Sequence, residues 1–503
     1  METKSFWEGT APESGFGRLE GDIECDVVVV GGGITGITAA QLLSSAGQRV
    51  VVLEALTIGS GTTGYSTGNL HALPDQGLYS VRDRWSQEVA TSVALSRAEM
   101  INLIEQTVER FGVSCGFARR PHYLFASEPS QRKQMEQEYE VVRAAGLNAE
   151  LVDDVPLPVP TQGALRVENQ AQIHPLAYVR GVARAIAGEG CRIFEHSPAA
   201  EIDDDNATVQ TLQGRIRAQS IVMATHTPKG FNLLQTELGP YREYGIAARL
   251  RGEAADYPVG IFWSFEEPGH SIRSYDVNGV RYLIVIGEKH KTGQHEVGQE
   301  YYTRVEDYAR HYFGVESIEY RWSGQHYRPA DLLPYIGKTG GSSHTYMATG
   351  YSTNGLLYGP LAALIIADEI MGHENPWAEL YNARRFTPLK SAGEFLKENV
   401  NVAKQYARDY LTKSEVEQLE GTMPGEGKIV EVDGKKLAIY RDDQGEVTVL
   451  SPVCTHLGCI VHWNPWERSW DCPCHGSRFR CTGEVLEGPA LKPLEKRTGP
   501  DAA

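Results

Sequence analysis

The chain has 503 residues, more than one typical domain and enough for two or three, and 41% of them are hydrophobic, ample material for a sizeable core. Lys and Arg number 48 against 65 Asp and Glu, a formal charge of −17 that excludes a basic footprint and argues against nucleic acid as a partner. Glycine is in excess at 52 residues, which calls for many tight turns and close backbone approaches of the kind a large cofactor requires.

Residues 1–24 are acidic and glycine-rich without an apolar core, and no later stretch is long and apolar enough to span a bilayer, so the expectation is a cytoplasmic protein with no membrane span. Cys25, Cys115 and Cys191 are scattered and read as small buried hydrophobes. Cys454, Cys459, Cys472, Cys474 and Cys481 crowd into 28 residues and mark a local site.

Residues 25–30, CDVVVV, predict a short strand buried on both faces, followed at once by GGGITG. Gly31, Gly33 and Gly36 satisfy G-x-G-x-x-G: the first for the turn, the second for close approach of a pyrophosphate, the third for packing of helix on sheet. Ile34 and Thr35 open the helix, whose unpaired N–H groups would face the phosphates. A second strand, residues 49–53, ends in Glu54, placed to accept from a ribose hydroxyl; an acid there disfavours NADP and leaves FAD or NAD. The small and hydroxyl residues of 59–72, a strand ending at Ala224 and Thr225, and a glycine turn at 350–355 opening a helix from Asn354 return the chain to the same site. Three returns suit a long dinucleotide whose far end is a flavin.

Together these landmarks resemble the superfamily of D-amino acid oxidase, glycine oxidase and sarcosine oxidase over residues 23 to about 390. The resemblance adds Gly61, Thr62, Thr63, Ser66, Gly68, Asn69 and Leu70 in the flavin-side loop, and Ala199 near the adenine. It also adds Gly350, Tyr351, Ser352, Thr353, Asn354 and Gly355 in the last turn, and a D-x-x-P-x-x-G stretch at Asp331, Pro334 and Gly337. It implies a Rossmann-like α/β FAD-binding domain from residues 23–90, 170–235 and 325–390. An α+β substrate-binding domain from 91–169 and 236–324 would complete it, with residues 1–22 an N-terminal extension. Candidates for the substrate pocket are His71, Arg273, Tyr275, Arg321, His326 and Tyr351, with Tyr327 and Arg328 beside them; structural ion pairs are equally expected of Arg321 and Arg328, and packing roles of His174 and Trp322.

Residues 391–420 are polar and helical in pattern, a connecting helix expected to lie along the first domain. From 421 to 503 short strands separated by D-G and Q-G turns predict an all-β module. Within it Cys454-x-His456 and Cys472-x-x-His475 are separated by fifteen residues. Two Cys and two His can hold zinc tetrahedrally, although C-x-H is a poor zinc half-site. The flanks resemble the Rieske domain, which implies a [2Fe–2S] cluster held by Cys454, His456, Cys472 and His475 and a disulfide between Cys459 and Cys474. In the same comparison Ser477 stands where a hydroxyl donates to a bridging sulfide and Phe479 where high-potential members have tyrosine, which implies an intermediate potential.

Two redox modules on one chain predict an oxidoreductase that takes a hydride from a C–N-bearing carbon of a small amine or amino acid onto FAD. Single electrons would leave through the cluster to an external protein or quinone-like acceptor. Inward electron flow, a redox sensor and a pure electron carrier are the alternatives. A homo-oligomer is compatible, and transfer would run between subunits if the cluster stood far from its own flavin.

Overall fold

The computed structural model describes residues 3–229, 232–252, 256–266, 268–294, 300–385, 387–411, 422–432 and 434–497. Six strands form the central sheet, in the order Tyr335–Lys338, Thr345–Thr349, Ser220–Met223, Val27–Val30, Val50–Leu53, Cys191–Phe194; all neighbours are parallel except the first pair. Val27–Val30 is apolar at every position because both faces are covered. Val27 and Val29 pack against the helices, Ile34–Ser45 among them, while Val28 and Val30 meet Val209 and Ile216 of a small four-stranded sheet. Helix Gly355–Met371 lies so close to Ile34–Ser45 that a Cβ on Gly359 would come within 2.8 Å of Ile34.

A second, nine-stranded sheet runs Val315–Pro329, Leu238–Leu250, Val280–Lys291, Ser271–Val277, Ile261–Ser264, Ala118–Phe125, Ala164–Gln172, Asn69–Leu70, with Ala149–Val152 paired to Ala164–Gln172. It is antiparallel except where Ile261–Ser264 meets Ala118–Phe125. It also draws in Asn69–Leu70 and the end of Val315–Pro329, so the flavin-side loop and the late motif run directly into it. The N-terminal extension is part of the core: Ser5 and Glu8 form a capping box on helix Phe6–Thr10, Phe6 and Trp7 are fully buried, and Trp7 Nε1 donates to Ser66 O at 2.7 Å. Cys25, Cys115 and Cys191 are buried, and burial pushes their thiols up to about 12, 11 and 12.

Helix Pro388–Leu411 then crosses the second sheet: Glu398 accepts from Lys291 Nζ at 2.7 Å and Tyr241 Oη at 3.1 Å, and Asn399 donates to Thr236 O at 3.0 Å. The end of the expected connecting helix, residues 412–420, lies outside the described residues, as do residues 498–503. The C-terminal module has one three-stranded sheet (Gly427–Val432, Lys435–Arg441, Val447–Leu450). A four-stranded one (His462–Asn464, Ser469–Asp471, Arg478–Arg480, Val485–Glu487) completes it, around a core of Ala438, Leu450, Trp470 and Phe479. Among the described residues no helix is long and apolar enough to cross a membrane.

The module is fastened to the second sheet by buried charge. Arg242, fully buried, reaches Glu467 at 2.6 Å and Glu487 at 3.6 Å, while Arg478 binds Asp471 (2.9 Å), Glu467 (2.7 Å) and Glu487 (2.6 Å). Removing one partner leaves buried charges uncompensated, so Arg242→Ala is expected to cost about 3–5 kcal/mol. The readout is a lower urea midpoint by tryptophan fluorescence; Arg468→Ala, which breaks an exposed pair with Asp443, should leave that midpoint in place.

Candidate active site

A cavity of about 600 Å³ lies between the two sheets and reaches the C-terminal module. Its floor is the glycine turn. Gly31 has φ +111°, and a Cβ there would sit 2.4 Å from Ala224 O; a Cβ on Gly36 would sit 1.9 Å from Gly31 O, so only glycine lets the helix start where it does. Gly33, the first residue before helix Ile34–Ser45, has no side chain to cap it, and Gly33, Ile34 and Thr35 line the cavity. Glu54 accepts from Gly32 N (2.7 Å) and Leu56 N (2.8 Å), and burial raises its carboxyl above the ordinary range.

Of the residues expected to meet the cofactor, Gly61, Thr62, Thr63 and Ser66 of the loop line the cavity, as do Ala199 and Thr225. Tyr351, Ser352, Thr353 and Gly355 of the last turn line it too. Gly36, Gly68, Asn69, Leu70, Gly350 and Asn354 stand behind the wall. Gly68 admits Arg273, whose Nη1 would lie 2.6 Å from a Cβ there, and Asn354 is held by Arg97 (2.8 Å) and Asp75 (3.0 Å) so that helix Gly355–Met371 opens toward the cavity. Thr227 Oγ1 and His326 Nε2, on the cavity wall, are buried with no hydrogen-bond partner among the described residues. The unspent polar atoms, the glycine cradle and a helix N-terminus that lines the cavity, with Ile34 N given to Thr63 Oγ1 at 3.1 Å, fit a bound dinucleotide.

The six pocket candidates divide. His326 and Tyr351 line the cavity; burial foremost, then Lys289 and Arg328, hold His326 well below its usual pKa and hence neutral, and the Tyr351 hydroxyl meets Thr35 Oγ1 at 3.3 Å. The other four do not line it. His71 is buried against His122 (ring centroids 4.5 Å apart), bonds Leu73 O at 2.7 Å, and is lowered to about 3 by burial. Arg273 donates to Thr67 O (3.2 Å) and Ile173 O (3.3 Å) between the rings of Trp7 and Tyr275. The Tyr275 hydroxyl is used on Cys115 O at 3.0 Å, and Arg321 pairs with Glu306 at 2.6 Å. Arg328 lies over the Tyr241 ring, and Trp322 donates to Tyr65 O at 3.1 Å.

Other wall residues were not singled out from the sequence: Glu243, Ile286, His226 and Lys229, together with Glu467, Arg478 and the stretch 485–487 of the C-terminal module. Lys229 carried a readable signal, a cation just past the strand that ends at Thr225; the module's entry into the cavity carried none.

In that module Cys454, Cys472, His456 and His475 converge. The Cys454 thiol, bonded by that of Cys472, is lowered to about 7, and the two imidazoles lie 5.0 Å apart at 86°. His475 Nδ1 is buried and unpartnered among the described residues, while His456 turns Nε2 outward to Gln235 Oε1 at 2.9 Å. Cys459 and Cys474 form a disulfide, and Cys472 Sγ lies within 4.8 Å of both sulfurs. Two thiols on one side and two imidazole nitrogens on the other can hold a metal centre. Ser477 Oγ accepts from Ala490 N at 3.1 Å, and Phe479 is fully buried.

Comparison with known proteins identifies both parts. Residues 26–369 match the FAD dependent oxidoreductase family and residues 412–498 the Rieske [2Fe–2S] domain, which settles iron–sulfur over zinc. A Bacillus subtilis (strain 168) chain named as a Rieske 2Fe-2S iron-sulfur protein, YhfW, is 32% identical over 498 residues, 98% of this chain and 97% of that one. The gamma-glutamylputrescine oxidoreductase of Escherichia coli K12 is 26% identical over 74% of this chain and 89% of its own. The crystal structure of glycine oxidase from Geobacillus kaustophilus superposes with a TM-score of 0.61 at 21% identity, over 73% of this chain and all of that one. The cofactors are therefore FAD and a Rieske-type cluster, and the chain belongs to the FAD dependent oxidoreductase family with a Rieske [2Fe–2S] domain following its catalytic part.

Proposed function

We propose that this chain oxidises a C–N bond of a cationic amine in the shared cavity and delivers the electrons through its own Rieske centre to an external one-electron acceptor. The carrying observation is that one cavity is lined both by the nucleotide fingerprint, Gly31, Gly33 and Glu54, and by the Rieske module, Glu467, Arg478 and Gly488. The relatives named for glycine and gamma-glutamylputrescine support amine chemistry. When bound, FAD accepts two electrons from the substrate, and a [2Fe–2S] cluster carries one at a time.

The chain's own residues bind and orient. Gly31, Gly33, Ile34, Thr62, Thr225 and Glu54 would hold the dinucleotide, with Lys229 inside the same wall to meet phosphate charge; Cys454, Cys472, His456 and His475 would hold the cluster. On the substrate side, Glu243 and His326 belong to adjacent paired strands. Glu243 stands opposite Gly324, whose missing side chain leaves room beside Tyr65, and His326 lies two residues further along. The charged groups lining the cavity are Glu54, Glu243, Glu467 and Glu487 against Lys229 and Arg478. Arg478 is already bound by three carboxylates, so a substrate carboxylate finds no spare guanidinium here, and four carboxylates against two cations give the wall a negative balance that suits an ammonium. Lys289, 4.0 Å from Glu243, lies outside the lining. Neutral His326, whose burial leaves it a weak base, can hold the free amine by hydrogen bonding.

Anaerobic titration of the holoprotein with diamines, polyamines, N-methyl amines and amino acids should bleach the flavin and then the cluster with cationic amines first. Bleaching by NADH with every amine inert would overturn the reading. Glu243→Gln is expected to raise KM for a diamine about tenfold, ~1.4 kcal/mol, with little change for a monoamine. Cys454→Ser should lose the iron and the transfer to an external acceptor while flavin reduction by amine continues, as stopped-flow absorbance would show.

A further inference from the structure

Three side chains of the flavoprotein part reach the histidine edge of the Rieske site. Gln325 Nε2 donates to Gly476 O at 2.8 Å and to the Tyr327 hydroxyl at 3.0 Å, and its Oε1 is fixed by Thr292 at 3.0 Å. The Tyr327 hydroxyl in turn is shared between His475 O (3.4 Å) and Gly488 O (3.2 Å). Gln235 Oε1 meets His456 Nε2 at 2.9 Å, and its amide donates to Pro228 O at 2.9 Å, between the cavity-lining Thr227 and Lys229. All three are at least 96% buried, and Gln325 and Tyr327 are themselves cavity wall. Backbone packing is equally close: a Cβ on Gly476 would lie 2.7 Å from Pro240, and one on Gly293 would lie 2.8 Å from Pro473 N.

We propose that Gln235, Gln325 and Tyr327 form a clamp that seats the His456–His475 edge of the cluster on the flavin cavity, so that electrons enter the cluster through this edge within a single chain. Each transfer moves one electron from reduced FAD to the oxidised cluster, taking its iron pair from diferric to ferric–ferrous. The second electron follows once an external one-electron acceptor has reoxidised the cluster. Tyr327 provides a bonded route: its residue is cavity wall, its hydroxyl donates to the His475 carbonyl, and His475 is an expected iron ligand. Gln235 holds the other imidazole by the nitrogen that does not face the cluster. These are positioning residues, acting through the ligands.

The inference rests on flavin-to-cluster transfer and not on the identity of the amine, so its test supplies electrons without substrate. In the anaerobic holoprotein the bound flavin is photoreduced by a light flash with EDTA as sacrificial donor, and cluster reduction is followed by absorbance and freeze-quench EPR. The expected result is a first-order rate independent of protein concentration, slowed about tenfold or more in Tyr327→Phe and in Gln235→Leu. The cluster's EPR g-values should be unchanged in Tyr327→Phe, which leaves both imidazoles bonded as before, and shifted in Gln235→Leu. Gln235→Glu, which keeps an acceptor for His456, should restore the rate. Equal rates in all variants, or a rate proportional to protein concentration, would overturn the clamp. If amines fail to bleach the flavin while these rates behave as expected, the amine reading falls and the clamp stands.

Discussion

The architecture depends on one buried ionic cluster, in which Arg242 from the second sheet and Arg478 from the Rieske module share Glu467 and Glu487, with Asp471 behind them. Such groups are costly to desolvate, and the arrangement is stable only when each carboxylate keeps its guanidinium at hydrogen-bond distance. Against the burial that would raise it, Arg478 and Arg242 pull the Asp471 carboxyl down to about 2. Sliding away from this pose would lengthen charged hydrogen bonds that a hydrophobic contact does not have. In that pose the stretch 485–488 enters the flavin cavity and the loops bearing His456 and His475 meet Gln235, Gln325 and Tyr327.

What was legible in the sequence is what local geometry demands. Gly31 and Gly36 stand where a Cβ would strike backbone within 2.4 Å, so their identity follows from the strand–turn–helix alone. Cys454, His456, Cys472 and His475 carry their meaning in spacing, and the structure brings them together on two adjacent loops. The substrate side was legible only in part, because its residues are chosen by sheet register rather than by any motif. Arg321 and Trp322 are neighbours in sequence, yet alternation sends the arginine to Glu306 and the tryptophan to Tyr65. Arg273 and Tyr275 looked like anchors and instead brace the N-terminal Trp7 and the Cys115 carbonyl, long-range partners that no local pattern announces. The same holds for His71, whose place beside the flavin-side loop suggested chemistry but whose ring is stacked in the core.

The strand Val315–Pro329 shows how two functions come to share one element. At the edge of its sheet, Ser323, Gln325 and Tyr327 bond Glu467, Gly476 and Gly488 of the Rieske module. The intervening Trp322 and Gly324 lie against Tyr65 of the flavin-side loop, and His326 stacks on Tyr241. Both sets of alternate positions line the cavity, and the set of Ser323, Gln325 and Tyr327 also docks the Rieske module. A one-residue slip would exchange the two sets, placing a glycine where Gln325 must reach Gly476 and a glutamine where Gly324 leaves space.

That slip is opposed along the whole strand, because pairing with Leu238–Leu250 runs from Leu238 opposite Pro329 to Leu250 opposite Val315. The same pairing sets Arg242 opposite Gln325 and Glu243 opposite Gly324, so the residue that anchors the Rieske module and a carboxylate of the cavity wall are adjacent on one strand and fixed by one register. Placement of the cavity wall and placement of the Rieske module are therefore not independent variables in this fold. A change in the pairing that moved Glu243 relative to the cavity would also withdraw Arg242 from Glu467, and the module would lose its seat as the wall lost its carboxylate.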